Sequence, residues 1–312
     1  MKKTLFFLLI LVSAVRLTAQ QDHQYTQFMY NKLLINPAYA GTRGVPTMMG
    51  IFRSQWVGFE GAPQSFLLGV HSPFLSQRVG VGVNLSHQKI GLNRDFTGSL
   101  AYSYDLIARK AMSLRVGLSG SVRSKGIAFI DAKPGAISDP SFDIANTNEI
   151  LGNVGAGIYA TFSEKVYLGL SVPRLYTNRV GFNPGVTQVA EEALHYYAMA
   201  GLILPIGEDI NLMPAVLAKY VQNAPFNADI NLNLDVRQKF TAGISYRMGG
   251  DASGDSVDLL AFWQATPQMG IGAAYDFPLS TLKNYTAGSI EIVFQADLKK
   301  RKKGMSNPRF FM

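Results

Sequence analysis

Imidazoles, thiols, carboxylates and hydroxyls are the groups that could do chemistry, and their spacing is informative. The chain has four histidines, His23, His71, His87 and His195, and no cysteine. None falls in an H-x-x-x-H or H-E-x-x-H spacing, the arrangement that sets two imidazoles on one helical face to hold zinc. His195 follows Glu191 and Glu192, from which a Ser/His/acid hydrolase could be imagined. No G-x-S-x-G elbow accompanies them, and an ordinary histidine at the rim of an external loop accounts for it. No G-x-x-x-x-G-K-[ST] phosphate cradle occurs; Gly155 and Gly157 lie in an alternating strand with no helix after them. Asp139, Asp143 and Glu149 share one long connection, and Asp251, Asp255 and Asp258 share another. Neither set matches a calcium-loop spacing, and both read as solvated loop charge. No catalytic, cofactor-binding or metal site is expected.

The elements around these residues explain the lack. Met1-Lys2-Lys3, the apolar run Leu5 to Val12 and the small residue Ala19 form a secretory signal peptide over residues 1–19. Its apolar run is well short of the roughly 20 residues that cross a bilayer as a helix, and no such run follows. Only 16% of residues are charged, against about 25% in soluble domains, so much of the surface does not face water. The net charge of +8 is local. Lys2, Lys3 and Arg16 contribute three charges and the stretch from Lys299 onward six, neither with an acid, which leaves about −1 for the body. Nothing supports a nucleic-acid partner.

The body alternates with period two. Met112, Leu114, Val116, Leu118 and Val122 share one face; Ser113, Arg115, Ser119, Ser121 and Arg123 share the other. Ile230, Leu232, Leu234 and Val236 alternate with Asn231, Asn233 and Asp235. Such segments number about fourteen, at 46–56, 63–72, 78–89, 94–107, 111–125, 150–163, 165–173, 194–205, 209–221, 226–237, 239–248, 256–266, 268–278 and 284–297. Their connections alternate in length. Those around 164, 207, 238 and 267 are tight, whereas 126–149 and 174–193 are the longest, on the opposite parity. That is the rule of an outer-membrane barrel with short periplasmic turns and longer external loops. The fold class expected is an all-β transmembrane antiparallel β-barrel over residues 46–297 with both termini periplasmic. Aromatics near strand ends, among them Trp56, Tyr102, Tyr104, Tyr167, Tyr196, Tyr197, Tyr220, Trp263, Tyr275 and Tyr285, suit interfacial girdles facing outer-membrane lipid. The second face, rich in Gly, Ser, Asn and Thr, suits a lumen of small polar side chains and water.

Two segments lie outside the strands. Residues 20–45, with the rigid turn-rich stretch Asn36-Pro37-Ala38-Tyr39-Ala40-Gly41, must sit in the periplasm or fold into the lumen. Residues 298–312 form a basic periplasmic tail ending in Pro308-Arg309-Phe310-Phe311-Met312. Such a tail is either disordered or a docking peptide whose Phe310 and Phe311 fill a partner's pocket.

The stretch from Gln21 to Gly41, the block Arg53-Ser-Gln-Trp56-Val-Gly-Phe59-Glu-Gly61-Ala-Pro63, the following His71-Ser72-Pro73, the late Tyr275-Asp276 and the closing Pro308-Arg309-Phe310-Phe311 resemble the PorP/SprF family across the whole mature chain. These are outer-membrane proteins of the type IX secretion system of Bacteroidota. The resemblance implies a non-enzymatic component that helps a secreted cell-surface protein, such as a gliding adhesin, reach and stay on the surface. It also implies a link to the periplasmic lipoprotein ring of the secretion machinery. The matching positions Asn36, Pro37, Tyr39, Gly41, Trp56, Phe59, Gly61, Pro63, Pro308, Arg309, Phe310 and Phe311 are family-motif or candidate interaction residues with no catalytic role. The alternative is an outer-membrane channel or transporter for a small or hydrophobic solute, with residues 20–45 as a hatch.

Overall fold

The computed structural model describes residues 24–109, 111–128, 147–180, 190–222, 224–249 and 255–298. The signal segment, His23, Asp139, Asp143, Asp251 and the tail with Pro308, Arg309, Phe310 and Phe311 lie outside the described residues.

Fourteen strands form one closed antiparallel sheet. They are β1 (Thr47–Ser54), β2 (Gln64–Phe74), β3 (Ser76–Ile90), β4 (Asn93–Asp105), β5 (Met112–Ile127), β6 (Thr147–Phe162), β7 (Val166–Val172), β8 (His195–Leu202, resuming as Leu204–Ile206), β9 (Ile210–Val221), β10 (Asn227–Val236), β11 (Phe240–Met248), β12 (Ser256–Trp263), β13 (Met269–Pro278) and β14 (Ser289–Asp297). Each pairs with the next in sequence. The last closes on the first, in register from Thr47↔Asp297 to Ser54↔Ile290. Closure removes every free edge, so each strand's backbone is paired without water.

Alternation sets which face each residue takes. Leu100, Leu118, Leu170, Ile230 and Leu259 point out and are exposed, while Asn153, Ser171, Asp229, Asn231 and Glu291 point in and are buried. This is the inverse of a water-soluble protein, and it is what a lipid-facing barrel requires. The connections divide by length between the two ends. One end has Leu75 alone, 106–111, 163–165, 207–209, 237–239 and 264–268; the other has 55–63, 128–146, 173–194, 249–255 and 279–288, with shorter turns at 91–92 and 222–226. Left-handed residues close the short turns, with φ of 49° and 54° at Ser163 and Glu164 and of 55° and 52° at Arg237 and Gln238. That is the backbone which matches the twist of a two-residue hairpin.

Several expectations are corrected. Tyr167 and Tyr197 belong to no girdle: Tyr167 is 1% exposed and points into the lumen, and Tyr197 packs against the lumen core. Asp258 is not loop charge, because it lies on β12 and is fully buried, and Glu149 lies on β6 opposite Lys125. β14 begins at Ser289 rather than near 284, because Thr281–Asn284 forms a 3-10 turn capped by Ser280 and Gly288 takes φ of 105°. Of the two places expected for the segment before the barrel, residues 24–46 take the lumen, which therefore holds part of the chain itself rather than only small side chains and water.

Candidate functional site

Residues 24–46 run through the lumen as three short helical turns, Phe28–Tyr30, Lys32–Ile35 and Pro37–Tyr39. None is long enough to be stable alone, so the barrel wall must hold them. Asn side chains cap two of the turns: Asn31 accepts from the Leu34 N–H at 3.4 Å and Asn36 from the Ala38 N–H at 2.9 Å. Phe28, Met29, Tyr30, Leu33 and Tyr39 supply an apolar core that meets Ile51, Leu67, Tyr159, Tyr167, Phe262 and Val293 from the wall.

Three anchors fix this segment. The first is ionic. The N–H groups of Thr26 and Gln27 donate to the two carboxylate oxygens of Glu291 at 2.9 and 2.8 Å, and the Thr26 hydroxyl reaches Asp276 at 2.8 Å. Arg53 bridges both acids, at 2.5 Å to Asp276 and 3.1 Å to Glu291. Arg247 continues the chain to Asp229 at 2.7 Å, and Asp229 holds Lys219 at 2.5 Å. These side chains come from β1, β9, β10, β11, β13 and β14, so the network spans nearly half of the wall and meets at Thr26. Buried charges of this kind are tolerable only when each is paired and hydrogen-bonded.

The second anchor is the Asn36–Gly41 stretch. The Asn36 amide donates to the carbonyls of Ile158 at 2.8 Å and Leu170 at 3.3 Å. The Ala40 carbonyl accepts from Ser103 at 2.7 Å and Arg115 at 3.2 Å, and the Gly41 N–H donates to His71 at 3.1 Å. Bare wall makes this close approach possible. A Cβ on Gly117 would lie 2.2 Å from the Ala38 nitrogen, and one on Gly80 would lie 2.0 Å from the Ala40 oxygen. The third anchor is Arg43, which pairs with Asp297 at 3.1 Å where the segment turns into β1.

Lys32 sits fully buried within this segment, its Nζ 5.4 Å from the Tyr39 ring centroid and 4.5 Å from that of Tyr167. Burial pushes its ammonium well below the ordinary lysine range, and the charge of Arg43 adds to the effect.

Above the segment, toward the long connections, the lumen opens into a cup of about 160 Å³. Leu33, Leu34, Tyr25 and Phe28 form its floor; Asn84, Ser86, Thr97, Ser99, Ser121 and Asn153 line its wall. Arg123 is held between Asp95 at 2.6 Å and Glu192 at 2.8 Å.

The expected interaction residues separate into two places. Asn36, Pro37, Tyr39 and Gly41 are buried together inside the lumen. Trp56, Phe59, Gly61 and Pro63 lie at the opposite end, in the 55–63 connection. There the Val57 N–H donates to the Gly288 carbonyl at 2.7 Å and the Gly91 N–H to the Gly61 carbonyl at 2.9 Å, while the Phe59 ring stays exposed. The imagined hydrolase does not assemble. Glu192 turns to Arg123, whereas His195 meets the Ala193 carbonyl and Arg174. Among the described residues no group of three His, Asp or Glu side chains is arranged to hold a metal ion. The Arg53–Asp276–Glu291 network went unforeseen, although Arg53 and Asp276 lie within the motif blocks; a charge on an alternating face shows in sequence, but its partner does not.

The model of the type IX secretion system membrane protein PorP/SprF family matches residues 17–295. The chain belongs to this family. As a PorP/SprF barrel it is an outer-membrane component of type IX secretion. No match to a curated protein is found. Solved structures that share the PorP/SprF barrel's fold include two outer-membrane barrels. The CymD monoaromatic hydrocarbon channel has a TM-score of 0.55 and 11% identity, over 89% of this chain and 94% of its own. The Ralstonia pickettii toluene transporter TbuX has a TM-score of 0.50 and 10% identity, over 88% and 94%. At such identities the likeness is one of fold alone.

Proposed function

We propose that this barrel is a non-enzymatic secretion partner. It helps one specific secreted protein, of the gliding-adhesin kind, reach or stay on the cell surface. The long-connection end faces outward and both termini lie in the periplasm, following the parity of the loops. The observation that carries this reading is the segment anchored across the lumen. Residues 24–46 are fixed by Glu291, Asp276 and Arg53 at one level and by the bare wall at Gly80, Gly117 and Gly157 at another. A polypeptide cannot thread past them, so the barrel works as an anchored platform and not as a conduit. Its contacts with cargo then fall on the outer rim, where the 55–63 connection presents Phe59. Its contacts with the lipoprotein ring fall on the periplasmic side, where the basic tail carries Pro308, Arg309, Phe310 and Phe311.

Deletion of the encoding gene followed by cell fractionation tests the reading. One type IX cargo should be lost from the surface while others still arrive, and normal surface display of every cargo would sink the proposal.

A second reading is favoured by the cup and its apolar floor. The neighbours of like fold are a monoaromatic hydrocarbon channel and a toluene transporter, and a similar barrel could pass a small solute if residues 24–46 moved. Planar-bilayer recording of the purified chain decides this: conductance or solute uptake by the intact protein would establish it.

A further inference from the structure

The cup wall is built in registered rows. Asn84 on β3 stands opposite Ser99 on β4, Ser99 opposite Ser121 on β5, and Ser121 opposite Asn153 on β6. The next row runs Ser86, Thr97, Arg123 and Leu151 across the same four strands. Cross-strand neighbours lie about 5 Å apart, so the wall presents a lattice of hydroxyl and amide groups. Most of its charges are paired: Asp95 and Glu192 hold Arg123, and Asp229 holds Lys219, while Arg174 meets His195 at 3.2 Å. The opposing surface is apolar, with Leu34 half-buried on the floor beside Phe28 and the ring of Tyr197 at one side.

We propose that this cup binds a neutral pyranose ring, an assignment that goes beyond the proposed role in secretion and does not rest on it. The volume of about 160 Å³ limits the enclosed part of a ligand to about one six-membered ring, because a cavity of about 150 Å³ accepts benzene, and the substituents of a pyranose extend through the open mouth. Paired charge disfavours an anion, because among the described lining residues Arg123 and Lys219 are ion-paired and Arg174 meets His195, so a carboxylate or phosphate ligand would be set against Asp95 and Glu192. The two unlike surfaces select an amphipathic ring. A pyranose has a C–H face for Leu34 and Tyr197 and equatorial hydroxyls for Ser99, Ser121 and Thr97. A hydrocarbon ring would satisfy the floor and offer nothing to the wall hydroxyls, of which Ser121 and Ser99 make only long contacts of 3.5 Å within the wall.

The test uses the full chain in an amine-oxide detergent, which has no sugar head group. Saturation-transfer NMR and titration calorimetry are run with the methyl glycosides of glucose, galactose, mannose, rhamnose and N-acetylglucosamine, and with toluene as the apolar ring. Saturable binding of at least one glycoside is expected, weakened about tenfold or more by Thr97→Val and by Ser121→Val. Heat-modifiability on gels confirms that each variant folds. Ser99→Ala, which removes only one oxygen, replaces any valine variant that does not. Equal affinity for the methyl glycoside and a matching oligosaccharide marks a site for free sugar; tighter binding of the oligosaccharide marks the end of a glycan. Absence of glycoside binding, binding of toluene alone, or unchanged affinity in the variants overturns the assignment. The surface-display phenotype of the gene deletion is independent of every one of these outcomes.

Discussion

Asn36 occupies the space that a side chain on Gly157 would need: a Cβ there would lie 2.2 Å from the Asn36 amide oxygen. The same amide donates to the carbonyl of Ile158, the next residue on β6. The wall lacks a side chain where the Asn36 amide of the lumen segment meets it, so the two are built to each other.

Gly157→Val should therefore unseat the segment. Overpacking of this kind costs about 1–3 kcal/mol, taken mostly from the lumen contacts because the β6 ladder itself is intact. Trypsin cleavage after Lys32, which is fully buried, should become fast in the folded variant and stay slow in the parent. Equal protection in both would mean that the wall adapts.

Arg53 should matter more than either of its partners. Arg53→Met leaves Asp276 and Glu291 buried without their shared cation, at about 3–5 kcal/mol. Glu291→Gln keeps an acceptor for one backbone N–H and removes one charge, so its loss should be smaller. The temperature at which the folded band disappears on a semi-native gel ranks the two; the reverse order would show that the network is held by something other than Arg53.

Lys32 gives a pH signature. Its folded-state value is depressed below the ordinary 10.5, so the unfolded chain binds the extra proton in the window between the two values. Stability then rises with pH through that window, since the slope follows protons bound in the unfolded state minus those in the native state. Lys32→Met removes the term. The parent should gain stability over the methionine variant as pH rises toward 10, and parallel curves for the two proteins would contradict this.

Orientation is testable in cells. An epitope inserted in the 55–63 connection should be stained on intact cells, whereas one placed after Met312 should be stained only after permeabilisation. Surface staining of the C-terminal epitope would reverse the proposed topology.

The tail can be tested separately. Phe310→Ser with Phe311→Ser should leave the barrel's heat-modifiability unchanged and reduce co-purification of the periplasmic lipoprotein ring. Undiminished co-purification would remove the tail from that interface.

The amino-acid order by itself determined the strands. Period-two alternation is local, and an inward Asn231 beside an outward Ile230 can be seen within a few residues, so β9, β10 and β11 begin and end within a residue or two of expectation. Loop parity followed from the same counting. The resemblance also rested on contiguous blocks. Where local pattern was ambiguous it misled: Tyr167 looks like a girdle aromatic but points inward, because which face is outside depends on closure of the whole sheet. Tertiary structure alone decided what fills the lumen. Thr26 meets Glu291 across 265 positions and Asn36 meets Ile158 across 122. Such pairings carry no periodic signal, because they arise only when fourteen strands close and leave an interior that must be filled and whose buried charges must be paired.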